Sequence, residues 1–445
     1  MLRFLRTNNE RSKKYKNNAI LIIILQGINT IANFLLVSAT LNYLGVEEYG
    51  VWITLTSTIT WFNFLDIGLA HGLRNKYAEA KADNDHEKVK GLVSTAFFSL
   101  LTISSVAFLI LISIGLFMDW SVILNAPSEL RDQLKTIGLV MISTFCIKLI
   151  INIVTVLKTA DQHPALSNFL ITSGNVLALF AIYCLVGLDL FSFLNLGLVI
   201  VIAQILPLTI AFIYLFSSTY QPIFPKWKYF SVQHIKSIFN IGFKFFGIQL
   251  TGLFILQSNV LIIAHVCGQE KVTDFNIAFK YLWIIIILFT AIMTPMWSAT
   301  TEAYMKNDIS WLKNSMKNVK KAWVLLVLMG VIMVLLSPFV YKIWLDGKID
   351  VDFKLIILML LYFVFTMRHS MYRTFMNGVS KVKLQFFVSL IQALLHIPLA
   401  ILSAKFFGVY GVLLVMILWV MLNSVWEPIQ YNKIIEKKAK GIWYQ

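Results

Sequence analysis

Five basic side chains interrupt stretches of this sequence that are otherwise apolar: Lys148, Lys244, Lys280, Arg368 and Arg373. Each falls in a run long enough to span a bilayer, where an ionisable residue is a functional candidate by default. A charge at a helix centre costs about 2.5 to 3.5 kcal/mol on insertion scales, so Lys148, Lys244, Lys280 and Arg368 facing lipid unpaired would cost roughly 10 kcal/mol together. Lys244, Arg368 and Arg373 sit in the inner halves of their runs and can snorkel to headgroups. Lys148 is too central for that and must face a wet cavity or pair with an acid. The chemistry offered by such a lining is anion binding. An ammonium takes a phosphate as a point charge, and a cavity of this sign repels organic cations.

The acidic counterparts within spans are fewer: Asp66, Glu302 and Glu427. All three are candidates for ion pairing or ion coupling. Asp66 has three readings: an ion-pair partner for another helix, a proton-coupling carboxylate whose pKa is raised by burial, or a solvated group at the interface. Glu302 and Glu427 lie nearer helix ends, where solvation is the simpler expectation. Uncharged polar groups also cluster. Gln26, Asn29 and Asn33 share one face of the first apolar run, and Gln249, Gln257 and Asn259 mark the seventh. They can bind sugar hydroxyls or bond neighbouring helices, the second being the commoner use. Among them Gln26, Asn29 and Gln257 join the candidate cavity lining.

Other chemistries find no support. His163, His369 and His396 lack metal-ligand spacing, and Cys146, Cys184 and Cys267 form neither a metal pattern nor a disulfide framework. No G-x-x-x-x-G-K-[ST] loop occurs, so ATP-driven transport on this chain is unsupported. No cofactor is implied. The net charge of +16 does not point to nucleic acid, because it is concentrated in particular loops between apolar runs.

These residues must be held by spanning helices. Of the 445 residues, 58% are hydrophobic and 13% charged, about half the charged share of a soluble domain, and the mean hydropathy is +0.76. A spanning helix needs about 20 apolar residues. Twelve such runs occur, near 19–41, 50–70, 92–117, 134–158, 166–187, 193–216, 238–264, 274–298, 322–341, 354–376, 385–403 and 410–430. The basic arm from Arg3 to Lys16 and the run that follows lack the features of a cleaved signal. Connections are short, leaving no room for a separate catalytic domain, and no enzyme is expected. Lys and Arg crowd the loops on the N-terminal side: Arg3 to Lys16, Arg74 to Lys90, Lys306 to Lys321 and Lys433 to Lys440. The positive-inside rule makes that side, and both termini, cytoplasmic. Within 309–320, Ile309, Leu312, Met316 and Val319 recur at helical spacing opposite lysines, which suits a short helix in the headgroup layer or a plain loop.

Shifting the chain by 223 residues brings Gly45 onto Gly268, Glu47 onto Glu270, Glu79 onto Glu302, Asn84 onto Asn307 and Asp85 onto Asp308. Identities at polar positions, at one offset, in two separate loops point to an internal duplication. The expected fold is all-α: twelve transmembrane helices in two six-helix lobes, 1–216 and 238–445, joined by a cytoplasmic linker at 217–237. Both copies start on the same side, so a pseudo-two-fold axis runs along the membrane normal around a central cavity.

The stretch "LNYLGVEEYGVWITLTSTITWFNFLDIGLAHGLRNKYAEAKADND", Leu41 to Asp85, resembles the start of bacterial O-antigen flippases. "MTPMWSATTEAYMKND", Met293 to Asp308, resembles their corresponding second-lobe segment. Beyond these segments the similarity marks the wider multidrug, oligosaccharidyl-lipid and polysaccharide exporter superfamily. The resemblance implies a substrate of one oligosaccharide repeat unit on undecaprenyl diphosphate, turned from the cytoplasmic to the periplasmic leaflet of the inner membrane by alternating access. It further implies a cation-lined cavity, coupling to a proton or sodium gradient, and a polysaccharide polymerase and chain-length regulator as partners. The lining residues named above are placed by depth and not carried over from a family motif. Rival readings are a multidrug antiporter of the same fold, which needs an acidic cavity, and a flippase for a lipid-linked cell-wall precursor. A membrane polymerase or glycosyltransferase would need a larger extramembrane part.

Overall fold

The computed structural model describes residues 10–62, 69–161, 163, 165–349, 351–379 and 381–444, and within its helices it leaves aside the side chains of 10–20, 23, 71, 75, 82, 240–254, 294, 295, 297–299, 301, 302 and 305. Its long elements are all helices. In chain order they are α1 (Glu10–Leu44), α2 (Val46–Thr60), α3 (Leu69–Ala82), α4 (His86–Phe117), α5 (Trp120–Leu124), α6 (Arg131–Ile151), α7 (Ile153–Ala160), α8 (Ala165–Gly187), α9 (Phe193–Ser217), α10 (Val232–Cys267), α11 (Gln269–Met305), α12 (Ile309–Trp344), α13 (Phe353–Gly378), α14 (Lys383–Phe407) and α15 (Val409–Ile435). Among the described residues, ten helices are long and apolar enough to cross a membrane. Of the two other expected runs, 50–70 includes residues outside the description, and 238–264 lies within α10, where the side chains of 240–254 are left aside.

The outer surface identifies the solvent. Phe180, Tyr214, Leu325, Leu335 and Leu394 are each about two-thirds exposed on four different helices. Apolar exposure on that scale suits hydrocarbon and would aggregate in water. With helices satisfying their own backbone polar groups, the chain is a multi-pass membrane protein.

Two compact units form, Met1–Leu250 and Thr251–Gln445. In the first, α1 packs on α8, α8 on α9, α4 on α6, α6 on α9, and α3 on α4 and α7. Its core joins Leu73, Tyr77, Leu92, Val154, Leu157, Phe216 and Ile238. Gly72 permits the close approach of α3 to α10, since a Cβ there would lie 2.2 Å from the Ile238 carbonyl oxygen. In the second unit α11 packs on α12 and α13, α12 on α13, and α15 on α13 and α14.

Local backbone conformation recurs between the units. Gly45 and Gly268 take φ of 83° and 91°, and Asn84 and Asn307 take 56° and 55°. Asp85 and Asp308 then cap α4 and α12, each carboxylate accepting from the backbone N–H three residues on, at 3.0 and 2.9 Å. The Trp311 N–H and the Ser310 hydroxyl hold the Asp308 carboxyl below its ordinary pKa. Pro207 lies inside α9 and Pro428 inside α15, as Pro338 and Pro398 lie inside α12 and α14.

Three local expectations need correction. Residues 309–320 are not a separate surface helix: they are the first three turns of α12, with Leu312, Met316 and Val319 buried. Lys320 and Lys321 are no boundary, because long side chains reach outward from a continuous helix. The expected loop at 71–91 is mostly helix, with only residues 83–85 between α3 and α4. The run at 134–158 divides at Asn152 into α6 and α7.

After α9, residues 218–231 carry two short 3-10 turns, Gln221–Ile223 and Trp227–Tyr229. Tyr220 anchors their start: its hydroxyl donates to Asp161 Oδ2 at 2.8 Å, and Lys81 pairs with the same carboxylate. Burial, then the Asp161 hydrogen bond and charge, push the Tyr220 phenol far above its ordinary pKa.

Candidate functional site

A charged cluster forms where α13 packs on α15. One stretch of α13 supplies Arg368, His369, Tyr372 and Arg373, none of them fully exposed. Glu427 comes from α15 and is 0% exposed. His369 Nδ1 and Glu427 Oε1 lie 2.6 Å apart, while Glu427 Oε2 has no protein partner among the described residues. The Arg373 and Arg368 charges also act on this carboxylate. Arg368 and Lys320 each lie over the Tyr372 ring, 6.0 and 5.9 Å from its centroid. Guanidinium groups stay charged in proteins, so two fixed positive charges face one carboxylate. The surplus can accept an anion.

Glu427 therefore departs from the solvated position expected of it. Two more turns of α15, to Ile435, lie beyond it, so the residue sits inside the packed helix. His369 was missed as a partner. Its position four residues before Arg373 was the available signal, and only the packing of α13 on α15 supplies the acid it meets.

Two polar knots lie elsewhere, the first part-buried and the second buried. In the first unit, Asn175 Nδ2 donates to Asn29 Oδ1 at 2.8 Å, and Gln204 Nε2 to Asn175 Oδ1 at 3.4 Å. Asn29 thus bonds α1 to α8 and, through Asn175, to α9. Gly174 makes room, since its Cβ would lie 3.0 Å from the Gln204 Cα. In the second unit, His396 is 1% exposed. Trp419 Nε1 donates to His396 Nδ1 at 3.1 Å, and His396 Nε2 lies 2.8 Å from Asn259 Oδ1. An indole N–H only donates, so Nδ1 is the acceptor and Nε2 carries the proton given to Asn259. Gln392 and Trp426 both donate to Asn423 Oδ1, at 2.9 and 3.1 Å. One knot ties α1 to α8 and α9, and the other ties α10 to α14 and α15.

The remaining candidates are dispersed. Lys148 is exposed on α6, next to exposed Ile147, with no ion pair among the described residues. Lys280 is half-buried on α11, Gln26 is exposed on α1, and Gln257 is half-buried on α10. Asp66 and the side chains of Lys244 and Glu302 lie outside the described residues. Among those described, no three His, Cys, Asp or Glu side chains gather to hold a metal ion.

The model for the polysaccharide biosynthesis protein family matches residues 15–301. A candidate O-antigen export protein of Yersinia pseudotuberculosis is 21% identical over 93% of this chain and 94% of its own length. A candidate O-antigen transporter of Salmonella typhi is 22% identical over 92% and 93%. Among solved structures, an inward-facing multidrug resistance MATE family transporter of the MOP superfamily has a TM-score of 0.78 and 14% identity, covering 95% of this chain and 100% of that one. At that identity the likeness concerns the fold.

Proposed function

The chain belongs to the polysaccharide biosynthesis protein family, and on that premise we propose that this multi-pass transporter turns a lipid-linked polysaccharide repeat unit across the membrane. The cargo is an O-antigen-type oligosaccharide on undecaprenyl diphosphate, moving from the cytoplasmic to the periplasmic leaflet of the bacterial inner membrane. The observation that carries this reading is the sign of the charge in the spanning helices. Arg368 and Arg373 outnumber Glu427, and Lys148 stands exposed and unpaired among the described residues. An unpaired lysine at that depth is costly against hydrocarbon, which favours a water-accessible face. Burying a bare sugar diphosphate in lipid is more costly still, and cations placed in a wet path offset it.

Twelve helices in two halves, 1–216 and 238–445 with 217–237 between them, would alternate access to this path, with both termini cytoplasmic. The recurrence of the Gly45 and Asn84 conformations 223 residues on supports the duplication. A proton or sodium gradient drives the cycle, Asp66, Glu302 and Glu427 being the acids available for coupling or ion pairing, and a polymerase and chain-length regulator receive the product. A multidrug antiporter would need acidic groups for cationic drugs, against the sign found here.

Complementation tests the reading. In a deletion strain, Lys148→Ala with Lys280→Ala should abolish surface O-antigen at normal protein level, with single lipid-linked units accumulating on the cytoplasmic leaflet. Normal O-antigen in that variant removes both lysines from the path. Polymer loss with single units already periplasmic would assign the chain to polymerisation instead.

A further inference from the structure

The segment after α9 presents an unusual surface. Between Asp189 and Glu270 the sequence contains no acidic residue. Within this stretch Lys226, Trp227 and Lys228 are consecutive and all exposed, and Lys236 is exposed one α10 turn further on. Trp227 is 66% exposed, Phe224 50% and Val232 72%.

This surface is held rigidly from beneath. The Lys226 N–H donates to Ser94 Oγ at 3.1 Å and the Ser231 N–H to Thr95 Oγ1 at 3.0 Å. Both hydroxyls belong to α4 and are fully buried. Trp227 stacks on Phe230, with centroids 4.9 Å apart and planes 9° apart, and meets the Phe98 edge of α4. His234 packs over Gly91, where a Cβ would lie 2.6 Å from its Nε2. The Asp85 charge, at the start of α4, acts on His234. Glu87 is paired with Lys90 at 2.7 Å, and the Asp85 carboxylate caps α4.

Water alone does not suit an exposed Trp, Phe and Val in one patch, and hydrocarbon alone does not suit three lysines. The boundary between them suits both: indole rings settle at headgroup level, and lysines there attract acidic lipid. We propose that residues 224–236 form a site for an anionic phospholipid, with Lys226 and Lys228 taking the headgroup phosphate and Trp227 seated at the acyl boundary. The two lysines flank the indole on a backbone already fixed by α4, so little ordering is left to binding. This lipid is a resident of the surrounding leaflet and not the transported cargo, and the site stands whatever that cargo is.

Native mass spectrometry of the full-length protein, titrated with phosphatidylglycerol and with phosphatidylcholine, tests it. The protein should bind phosphatidylglycerol more tightly. Lys226→Gln and Lys228→Gln should each weaken that binding roughly five-fold, the factor expected per lysine near a membrane surface, and leave phosphatidylcholine unchanged. Trp227→Ala should weaken both lipids. Lys226 and Lys228 are exposed, so the thermal midpoint serves as a folding control for the glutamine variants and should not move. Equal affinity for the two lipids, or phosphatidylglycerol binding unaltered in the double glutamine variant, overturns the proposal. Competition by millimolar inorganic phosphate as effective as that by the lipid would assign the site to free phosphate and overturn it equally.

Discussion

Removing His369 would leave the Glu427 carboxylate buried with neither oxygen hydrogen-bonded to a described protein group. Breaking a buried pair from one side typically costs about 3 to 5 kcal/mol. His369→Phe should therefore destabilise the protein by about 3 kcal/mol, read as a fall in thermal midpoint in detergent. Glu427→Gln keeps an acceptor for the histidine and should cost only about 1 kcal/mol. Equal losses would show that the charge is not what His369 compensates. The Asn29–Asn175 bond is a milder case. A double-mutant cycle should give a coupling of about 0.6 kcal/mol, the average for hydrogen bonds between membrane helices, and zero coupling would remove it as a tie. At this scale the sequence announced the basic residues, because a charge in an apolar run needs no partner to be noticed. The burial of Glu427 was illegible, since its depth depends on where α15 ends and its partner on which helix it meets.

Helices and their junctions carry different tests. Gly72→Ala sets a Cβ against the Ile238 backbone and should cost about 1 to 3 kcal/mol as overpacking. Gly27→Ala meets nothing within 4 Å and should be neutral or slightly stabilising; a large loss there would show packing absent from this account. Asn84 and Asn307 hold left-handed conformations at matching junctions, which β-branched residues resist. Asn84→Val and Asn307→Val should therefore lower the thermal midpoint by similar amounts, and Asn→Gly at either site should not. The Asp308 cap should respond to acid. Its carboxyl is held below 3.8, so its stabilisation is present above that pH and is lost as the pH falls through the lower folded value. Asp308→Asn should flatten this dependence, and an unchanged acid profile would contradict it. Ten of the expected spans were legible from apolar runs, and the polar identities at one offset fall where the Gly45 and Gly268, and the Asn84 and Asn307, conformations match. The fusion of 309–320 into α12 was not, because Lys320 and Lys321 resemble a boundary although no Gly or Pro breaks the helix there.

For the molecule as a whole, fold does not select cargo, since a MATE multidrug transporter shares this architecture. On the proposed reading, sign of charge does. If Lys148, Arg368 and Arg373 line the path, their effect belongs to anionic cargo and should not extend to cations. Full-length protein in vesicles, loaded on one leaflet with an undecaprenyl diphosphate bearing a short oligosaccharide, gives the direct measurement. Periodate that cannot cross the bilayer reports which sugars have reached the outer face. Wild-type protein should expose the inner pool, the Lys148→Ala, Arg368→Ala, Arg373→Ala triple variant should leave it protected, and ethidium should not be carried by either. Transfer undiminished in the triple variant, or ethidium transport with no movement of the lipid-linked sugar, would contradict an electropositive path for a diphosphate cargo.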